Sequence, residues 1–393
     1  MIGAHESNTM MQKKLLFVFG TRPEAIKLAP LILRAEKDPR FQVAVCSTGQ
    51  HREMLAPLLE FFKICPKYDL ALMRPKPDLT ELVAGAMTGV RDILRQENPD
   101  FTIVQGDTST CMAAALAAFH ERKPVAHVEA GLRSGDLYSP WPEELNRRFV
   151  TLMASQHFAP TPASLENLQK EGVDKSRLHM TGNTVIDALL DVSARLDQDK
   201  GLAQAFAEKY KFLDSKKRLL LVTSHRRESF SGGLESILQA LGDISELEDV
   251  QILFAVHFNP KVRKRVAQIL GAKGVWVKDG FDPANINLCD PLPYLDFIYL
   301  MKRCYFILSD SGGVQEEAPA LGKPVLVLRE VTERPEAIAA GTSILVGFDR
   351  AGIVKSARAL LENQQRYEAM AHANNPFGDG HACERILDIL AQV

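Results

Sequence analysis

The sequence lacks the features of membrane, disulfide-bonded and zinc-binding proteins. No apolar run reaches the roughly 20 residues that a transmembrane helix needs, and residues 1–12 are polar, without the apolar core of a signal peptide. The six cysteines are scattered, with no C-x-x-C pair and no zinc-type spacing. This pattern predicts buried, reduced thiols in a cytoplasmic protein. We expect the first twelve residues to form a disordered lead-in.

Several nucleotide and metal signatures are also missing. There is no G-x-G-x-x-G after a strand, no P-loop and no H-E-x-x-H. These absences disfavour nicotinamide-dependent redox chemistry and a zinc mechanism, so a bound nucleotide is expected to be a substrate rather than a cofactor. The formal net charge is only -2. Bulk charge therefore argues against a nucleic-acid partner, and an anionic ligand must meet locally placed Arg and Lys.

Short apolar runs are present in both halves of the chain, separated by amphipathic helical patterns. They are Leu15–Phe19, Val43–Cys46, Phe101–Val104, Val125–Val128, His157–Ala159, Leu219–Thr223, Ile252–Val256, Tyr305–Leu308, Val325–Leu328 and Ile344–Val346. Such runs predict parallel strands covered on both faces by helices. A chain of 393 residues is expected to form two domains of this doubly wound α/β type. Parallel sheets bind ligands at the carboxyl ends of their strands, so two facing domains would share one cleft.

The segment from Asp310 to Glu317 is the most informative about a ligand. It follows an apolar run and contains Ser311, Gly312 and Gly313, which predict a tight turn into a helix. The free N–H groups and the dipole at a helix start favour phosphate. Glu317, about one helical turn further on, suits the two hydroxyls of a ribose. The segment therefore predicts a nucleoside diphosphate site in the second half.

Polar residues also follow the first strand. Thr21 and Glu24 fit a capping box that starts a helix. Arg22 and Lys27 are two cations at the same strand end, and they suit a diphosphate. The alternative for both cations is a solvated helix start.

Three acidic residues follow strands or a rigid turn in the first half: Asp107, Glu129 and Glu143. Each has a structural alternative, such as a helix cap for Asp107 or Glu143. Together they would converge on the mouth of one cleft, which is typical of proton transfer. Crowded carboxylates raise one another's pKa, which suits a general acid.

The second half supplies further polar and aromatic candidates. His225 and Arg226 follow a strand and favour a phosphate contact or an acid role, with a core or cap histidine as the alternative. Phe297 is a candidate for stacking on a base, although core packing would explain it almost as well. Arg334 adds a cation at the predicted cleft edge.

These segments, in their order, resemble the non-hydrolysing UDP-N-acetylglucosamine 2-epimerases. The matching motifs begin at residues 20, 105, 128, 142, 181, 225, 310 and 332, and the resemblance extends from about Lys14 to the C-terminus. It implies the GT-B fold, with an N-terminal domain over 13–185, a helix at about 380–393 packing back on it, and a UDP-binding domain over 186–379. It further implies reversible interconversion of UDP-GlcNAc and UDP-ManNAc for surface polysaccharide synthesis, a homodimer and no cofactor.

The resemblance also implies roles for individual residues. Elimination of UDP would give a glycal intermediate, which needs a base, an acid on the opposite face and cations for the leaving diphosphate. The implied catalytic residues are Asp107, Glu129 and Glu143 as acid and base groups, and His225, which would contact or protonate the diphosphate. The implied binding residues are Arg22 and Lys27 for the nucleotide sugar, Ser311, Gly312 and Gly313 for phosphate, Glu317 for ribose, Phe297 for uracil, and Arg334 for the sugar or phosphate. The family often has a polar residue where Leu292 stands, so a uracil contact there would come from the backbone.

Other functions stay open at this point. A hydrolysing epimerase would release UDP and ManNAc, a GT-B glycosyltransferase would need an acceptor, and a non-catalytic sensor would only bind the nucleotide sugar. Bacterial members of the family can also bind a second UDP-GlcNAc as an activator. Gln50, Glu143, Arg226 and His257 occupy positions that resemble that allosteric site.

Overall fold

The computed structural model describes residues 12–50, 52–73, 78–224, 233–277 and 285–393. The chain divides into two compact units. The first comprises Met1–Ala188 together with Phe377–Val393, and the second comprises Leu189–Pro376. Residues 1–11, which fall in the predicted disordered lead-in, lie outside the described residues.

The first unit contains one parallel sheet. Its strands are β1 Lys13–Phe19, β2 Phe41–Ser47, β3 Tyr68–Asp69, β4 Phe101–Gln105, β5 Val125–Val128, β6 Gln156–Ala159 and β7 Leu178–Met180. They lie in the order β3-β2-β1-β4-β5-β6-β7. Strand β1 is apolar and buried from Leu15 to Phe19, as expected for a strand with helices on both faces. The strand order changes direction between β1 and β4, where doubly wound sheets bind ligands at the carboxyl edge.

Helices cover this sheet. They are α1 Arg22–Lys37, α2 Arg52–Phe62, α3 Leu79–Glu97, α4 Ser109–His120, α5 Glu143–Met153 and α6 Pro162–Lys170, and α7 Thr184–Gln198 continues into the second unit. Helix α4 is rich in alanine, which has the highest helix propensity. Its small side chains let α3 and α5 pack closely against it. The position of α5 matters below, because it carries several polar residues toward the end of β4.

The second unit repeats the architecture. Its strands are β8 Arg218–Ser224, β9 Val250–Val256, β10 Gly274–Trp276, β11 Ile286–Cys289, β12 Phe306–Ser309, β13 Val325–Val327 and β14 Ser343–Leu345. They form a parallel sheet in the order β10-β11-β9-β8-β12-β13-β14. The helices are α8 Lys200–Lys209, α9 Leu234–Ile244, α10 Pro260–Leu270, α11 Tyr294–Arg303, α12 Gly312–Glu317, α13 Pro335–Ala339, α14 Arg350–Glu362 and α15 Gln364–Ala371.

The last helix, α16 at Ala382–Gln392, belongs to the first unit and packs on α1. The buried Asp187 carboxylate accepts hydrogen bonds from the N–H groups of Ala382 and Cys383, at 3.2 and 3.0 Å, which satisfies the start of the helix. At the other end, Lys13 Nζ donates to three carbonyl oxygens of the last residues, each at 3.1 Å. Both ends of α16 are therefore tied to the first unit.

Each unit has its own hydrophobic core. Side chains of β1, β2 and β4 pack with α3, α4 and α5 in the first unit. Side chains of β8, β9 and β12 pack with α9, α10 and α14 in the second. The predicted class, two doubly wound α/β domains, is confirmed.

Candidate active site

Asp107 lies in a tight turn after β4. Gly106 has a left-handed backbone, with φ of 70°, which a glycine adopts at little cost. Helix α4 then begins at Ser109, and Thr108 is its N-cap, accepting a hydrogen bond from Cys111 N at 3.0 Å. Thr108 therefore fills the capping role that was the alternative for Asp107, whose carboxylate takes a different partner.

That partner is Arg147 of α5. Its Nη2 lies 2.5 Å from Oδ2 of Asp107, and Asn146 Nδ2 donates to the main-chain oxygen of Asp107 at 2.9 Å. Burial raises the pKa of Asp107 above its ordinary value; Arg147 opposes this shift and the nearby Glu129 adds to it. The structure thus brings Asp107 and Glu129 close enough to interact electrostatically.

Glu129 follows β5 directly and is almost completely buried. Lys27 Nζ lies 2.7 and 2.5 Å from its two carboxylate oxygens. Asn183 Nδ2 donates to it at 3.0 Å, and Gln105 Nε2 also donates. A buried carboxylate needs such partners to remain charged. The structure therefore pairs Lys27 with Glu129, within the first unit.

Helix α5 begins at Glu143, which is half-buried, and the adjacent Glu144 is fully buried. Glu144 accepts hydrogen bonds from Ser134 N and Arg148 Nε, both at 2.9 Å. Burial raises the pKa of Glu144, but these donors outweigh it, and the net pKa is lowered. Glu143 lies four residues before Arg147, so the two share one face of the helix. Glu143 is therefore on the face of α5 that carries the partner of Asp107.

The turn after β1 is organised by Glu24, which is fully buried. Its carboxylate accepts from Gly20 N at 3.0 Å, from Thr21 N at 2.7 Å and from Thr21 Oγ1 at 2.8 Å, so the predicted capping pair of Thr21 and Glu24 is confirmed. Thr108 Oγ1 donates to the other oxygen at 2.7 Å, which links this turn to the Asp107 turn. Burial raises the pKa of Glu24. Arg22, the first residue of α1, is half-buried.

In the second unit, β12 leads into the turn that the sequence predicted, and α12 begins at Gly312 with Ser311 as N-cap. Asp310 is buried, and its carboxylate accepts from Ser224 Oγ at 3.1 Å. Ser311 N donates to Ser309 Oγ at 3.0 Å. These bonds fix the chain direction into α12.

Arg334 lies beside this turn. A Cβ added at Gly312 would be 3.9 Å from the guanidinium carbon of Arg334. Arg334 also forms an ion pair with Glu316. Glu317 is nearly buried at the end of α12, and a Cβ at Gly313 would lie 4.0 Å from its carboxylate. The structure thus brings the predicted turn, Glu317 and Arg334 into one region of the second unit.

Other predicted residues are placed as follows. Phe297 is half-buried in the first turn of α11, and Leu292 is half-buried just before that helix. His225 and Arg226 lie outside the described residues. The roles assigned to these four residues stay predictions.

The two remaining allosteric candidates belong to different units. Gln50, in the first unit, accepts a hydrogen bond from Thr110 Oγ1 at 3.3 Å. His257 follows β9 in the second unit, and its Nδ1 accepts from Asn259 N at 3.1 Å.

The structure adds residues that the strand-end pattern did not single out. Arg147 and Asn146 contact Asp107, and Gln105 and Asn183 contact Glu129. The four-residue spacing from Glu143 to Arg147 was the available signal, since it places both on one helix face. Asn183 follows β7, which is too short to be recognised as a strand in the sequence.

Within the described ranges, no group of three or more His, Cys, Asp or Glu side chains is arranged to hold a metal ion. In the same part of the chain, no helix is both long and apolar enough to cross a bilayer.

Comparison with known proteins agrees with this description. The sequence model of the UDP-N-acetylglucosamine 2-epimerase family matches residues 33–391. The UDP-N-acetylglucosamine 2-epimerase of Escherichia coli K12 is 52% identical over 378 residues, which cover 96% of this chain and 98% of that protein. The solved UDP-GlcNAc 2-epimerase of Neisseria meningitidis, bound to UDP-GlcNAc, is 43% identical with a TM-score of 0.85, covering 97% of this chain and 100% of the other. The Methanocaldococcus jannaschii enzyme, solved with UDP-GlcNAc and UDP, is 35% identical with a TM-score of 0.75 and the same coverage.

The two parallel seven-stranded sheets and their likeness to these structures define an α/β protein of the GT-B class. The match extends over nearly the whole length of both chains. The chain belongs to the UDP-N-acetylglucosamine 2-epimerase family, which confirms the family resemblance found in the sequence.

Proposed function

We propose that this protein interconverts UDP-GlcNAc and UDP-ManNAc by inverting C2 of the sugar, as a non-hydrolysing epimerase. The observation that carries the proposal is the pair of carboxylates after adjacent strands β4 and β5. Asp107 is paired with Arg147, and Glu129 is paired with Lys27. Family membership and the UDP-GlcNAc bound in the Neisseria meningitidis relative support the same substrate.

The proposed chemistry follows from the weak acidity of the C2 proton, which has no adjacent carbonyl. A base removes this proton, the C2–H electron pair forms a C1=C2 double bond, and the C1–O pair leaves with UDP. The resulting 2-acetamidoglucal then regains a proton at C2 on the opposite face, while UDP re-adds at C1. Asp107, Glu129 and Glu143 are the proposed acid and base groups. The raised pKa of Asp107 suits a group that holds a proton for part of the cycle.

Nucleotide binding is proposed for residues of both units. The proposed contacts are phosphate for Ser311, Gly312, Gly313 and His225, ribose for Glu317, uracil for Phe297 and the backbone at Leu292, and the nucleotide sugar for Arg22, Lys27 and Arg334. The proximity of Arg334 to Gly312 supports a shared anion contact there. Because Lys27 forms an ion pair with Glu129, it would contact both the nucleotide sugar and a proposed acid/base group. The proposed domain limits stay 13–185 with about 380–393, and 186–379.

We further propose a homodimer. Three large apolar side chains of α5, Leu145, Phe149 and Leu152, are exposed at helical spacing. Such a stripe is typical of a helix that packs on a partner. Light scattering at micromolar concentration should give twice the 43.6 kDa chain mass; a monomeric mass would contradict the dimer. We also propose that the protein acts in the cytoplasm, in surface polysaccharide synthesis. A second UDP-GlcNAc is proposed to activate it by binding at Gln50, Glu143, Arg226 and His257.

Turnover of UDP-GlcNAc in D₂O tests the reaction. The expected product is UDP-ManNAc with deuterium at C2, and pure UDP-ManNAc should return the same mixture. Stoichiometric UDP and ManNAc would instead show a hydrolysing epimerase, and turnover that requires an added sugar acceptor would show a glycosyltransferase. Asp107→Asn is the matched control and should reduce turnover by ~10²–10⁴ while UDP still binds. If the wild type gave no exchange at C2 and no ManNAc product, the proposal would fail.

A further inference from the structure

The turn that carries Asp107 is held from three directions. Arg147 Nη2 contacts the carboxylate Oδ2 at 2.5 Å. Asn146 Nδ2 donates to the Asp107 carbonyl at 2.9 Å, and His127 Nε2 donates to the Gly106 carbonyl at 2.7 Å. Both carbonyls and one carboxylate oxygen are thus fixed by side chains from β5 and α5. The other carboxylate oxygen, Oδ1, accepts no hydrogen bond from the described residues.

Arg147 is itself fixed. Its second terminal nitrogen, Nη1, lies 3.4 Å from Oε2 of Glu144. Glu144 is fully buried and is anchored by Ser134 N and by Arg148. The Arg147 side chain is only 12% exposed, so its guanidinium has little freedom to leave either carboxylate. A planar guanidinium held this way orients its partner more sharply than a point charge would.

The Asp107 side chain remains 25% exposed, whereas the Glu129 side chain is 4% exposed. Lys27 contacts both oxygens of Glu129, but Arg147 contacts one oxygen of Asp107. A purely structural ion pair does not require one oxygen to be held and the other left without a hydrogen bond from the described residues. A proton-transfer group does, because its acting oxygen must be placed and must also be reachable.

We propose that Arg147 is a positioning residue for the reaction: its guanidinium holds Oδ2 of Asp107 and so presents Oδ1 to the proton that is transferred. The inference rests on the proposed epimerisation, in which Asp107 exchanges a proton with the substrate. Arg147 keeps its own protons throughout, so one proton moves to or from Oδ1 in each transfer. Glu144 acts one step further away, through Arg147.

Several charged or titratable groups surround Asp107, on α1, α4, α5 and the end of β5: Glu24, Lys27, Cys111, His127, Glu129, Glu144 and Arg147. His127 is buried and neutral, with a pKa lowered to about 4. Burial and Glu129 raise the pKa of Asp107, while Arg147 and Lys27 lower it. Removing Arg147 therefore shifts the pKa of Asp107 upward. Whether Asp107 acts as base or acid, the limb of the pH profile that it governs moves to higher pH.

The test uses the full chain with UDP-GlcNAc and compares Arg147→Met, Arg147→Lys and the control Arg148→Met. Arg148 is on the same helix and pairs with the same Glu144, but its described contacts do not include Asp107. Arg147→Met should lower kcat/KM by on the order of 10²-fold, mainly through kcat, because the reacting oxygen is misplaced. One limb of its kcat/KM profile should move to higher pH. Arg147→Lys should recover part of kcat. Arg148→Met should leave the pH limb at its wild-type position, because Ser134 N still holds Oε2 of Glu144, the oxygen that faces Arg147.

UDP affinity, measured by calorimetry, should stay within about threefold of wild type in all three variants, which would be a small change in binding free energy. A purely structural role would reduce the amount of folded enzyme but would leave the pH dependence of kcat/KM unchanged. If folded Arg147→Met had the wild-type pH dependence, the inference would be overturned. If Arg147→Met did not fold, Arg147→Lys would decide: we expect kcat to fall by about tenfold or more with KM little changed, and a wild-type kcat would overturn the inference. Failure of the wild type to epimerise would refute the proposed function instead.

Discussion

Replacing Gly131 with alanine should destabilise the first unit much more than the same change at Gly172. Both glycines have left-handed backbones, with φ of 95° and 82°. A Cβ at Gly131 would lie 2.2 Å from the carbonyl oxygen of Ser164 and 2.8 Å from its carbonyl carbon. A Cβ at Gly172 would have no atom of the described residues within 4 Å, apart from those of the adjacent residues. The two variants therefore share the backbone strain, and only one has the clash.

The expected loss of stability follows from two contributions, the backbone strain and the steric clash. An alanine in the left-handed conformation costs about 1–2 kcal/mol relative to its usual conformation. The free energy of unfolding should fall by this amount in both variants. At Gly131 the clash adds about 1–3 kcal/mol, because Ser164 belongs to α6 and its backbone cannot move alone. Asn167 of the same helix donates to the Gly131 carbonyl at 3.0 Å, which ties the turn to α6 from the other side.

Thermal and urea unfolding, followed by circular dichroism, measure the difference. In a unit of this size, the extra 1–3 kcal/mol corresponds to a midpoint about 2–12 °C lower for Gly131→Ala than for Gly172→Ala. Hydrogen exchange should also increase in α6 for Gly131→Ala alone. Equal losses in the two variants would refute the reasoning, since they would show that the contact with α6 places no steric limit on this turn.

Two further predictions concern buried charge in the first unit. Lys27→Met should lower the free energy of unfolding by about 2–4 kcal/mol, because it leaves the buried Glu129 carboxylate without its ammonium partner. The same change in a Glu129→Gln background should lower it by less than about 1 kcal/mol. If urea unfolding showed that the two losses simply add, this coupling would be contradicted. Burial lowers the pKa of His127 to about 4 and that of His157 to about 3, from an ordinary 6.5. The unfolded chain therefore binds protons that the folded chain does not, so stability should be lost as the pH falls from about 6.5 toward 4. An unfolding midpoint that rose over that range would contradict it.

The sequence predicted the central strands well, because each is an apolar run buried on both faces. It did not reveal β3, β7, β10 or β11. The first has only two residues, and β11 carries Asn287 in the middle of its apolar residues. Asn287 is fully buried, so the tertiary structure accommodates a polar residue that breaks the local pattern. Short strands gain their stability from neighbours in the sheet, and sequence periodicity does not report those neighbours.

The candidate site shows the same limit. Asp107 and Glu129 were predicted because the carboxyl ends of parallel strands share one edge of a sheet. Three consecutive residues, Asp107, Thr108 and Ser109, are all suitable helix caps, so local chemistry could not show that Thr108 takes this role. The partner of Asp107 lies 40 residues away on α5, and its position depends on how α5 packs against α4. Such pairing is tertiary information.

The backbone at Glu129 links strain to function. Gly106 N donates to Val128 O at 2.9 Å, so the turns after β4 and β5 lie side by side. Both turns use a left-handed residue, but the first is glycine and the second is Glu129, with φ of 61°. A non-glycine residue in this conformation costs about 1–2 kcal/mol, which glycine would avoid.

The contacts of the Glu129 carboxylate with Lys27 and Asn183 offset part of this strain. Strain of this kind persists where the surrounding structure maintains it, often at functional sites. A glutamate in this strained position agrees with the proposed use of its carboxylate at the edge of the sheet.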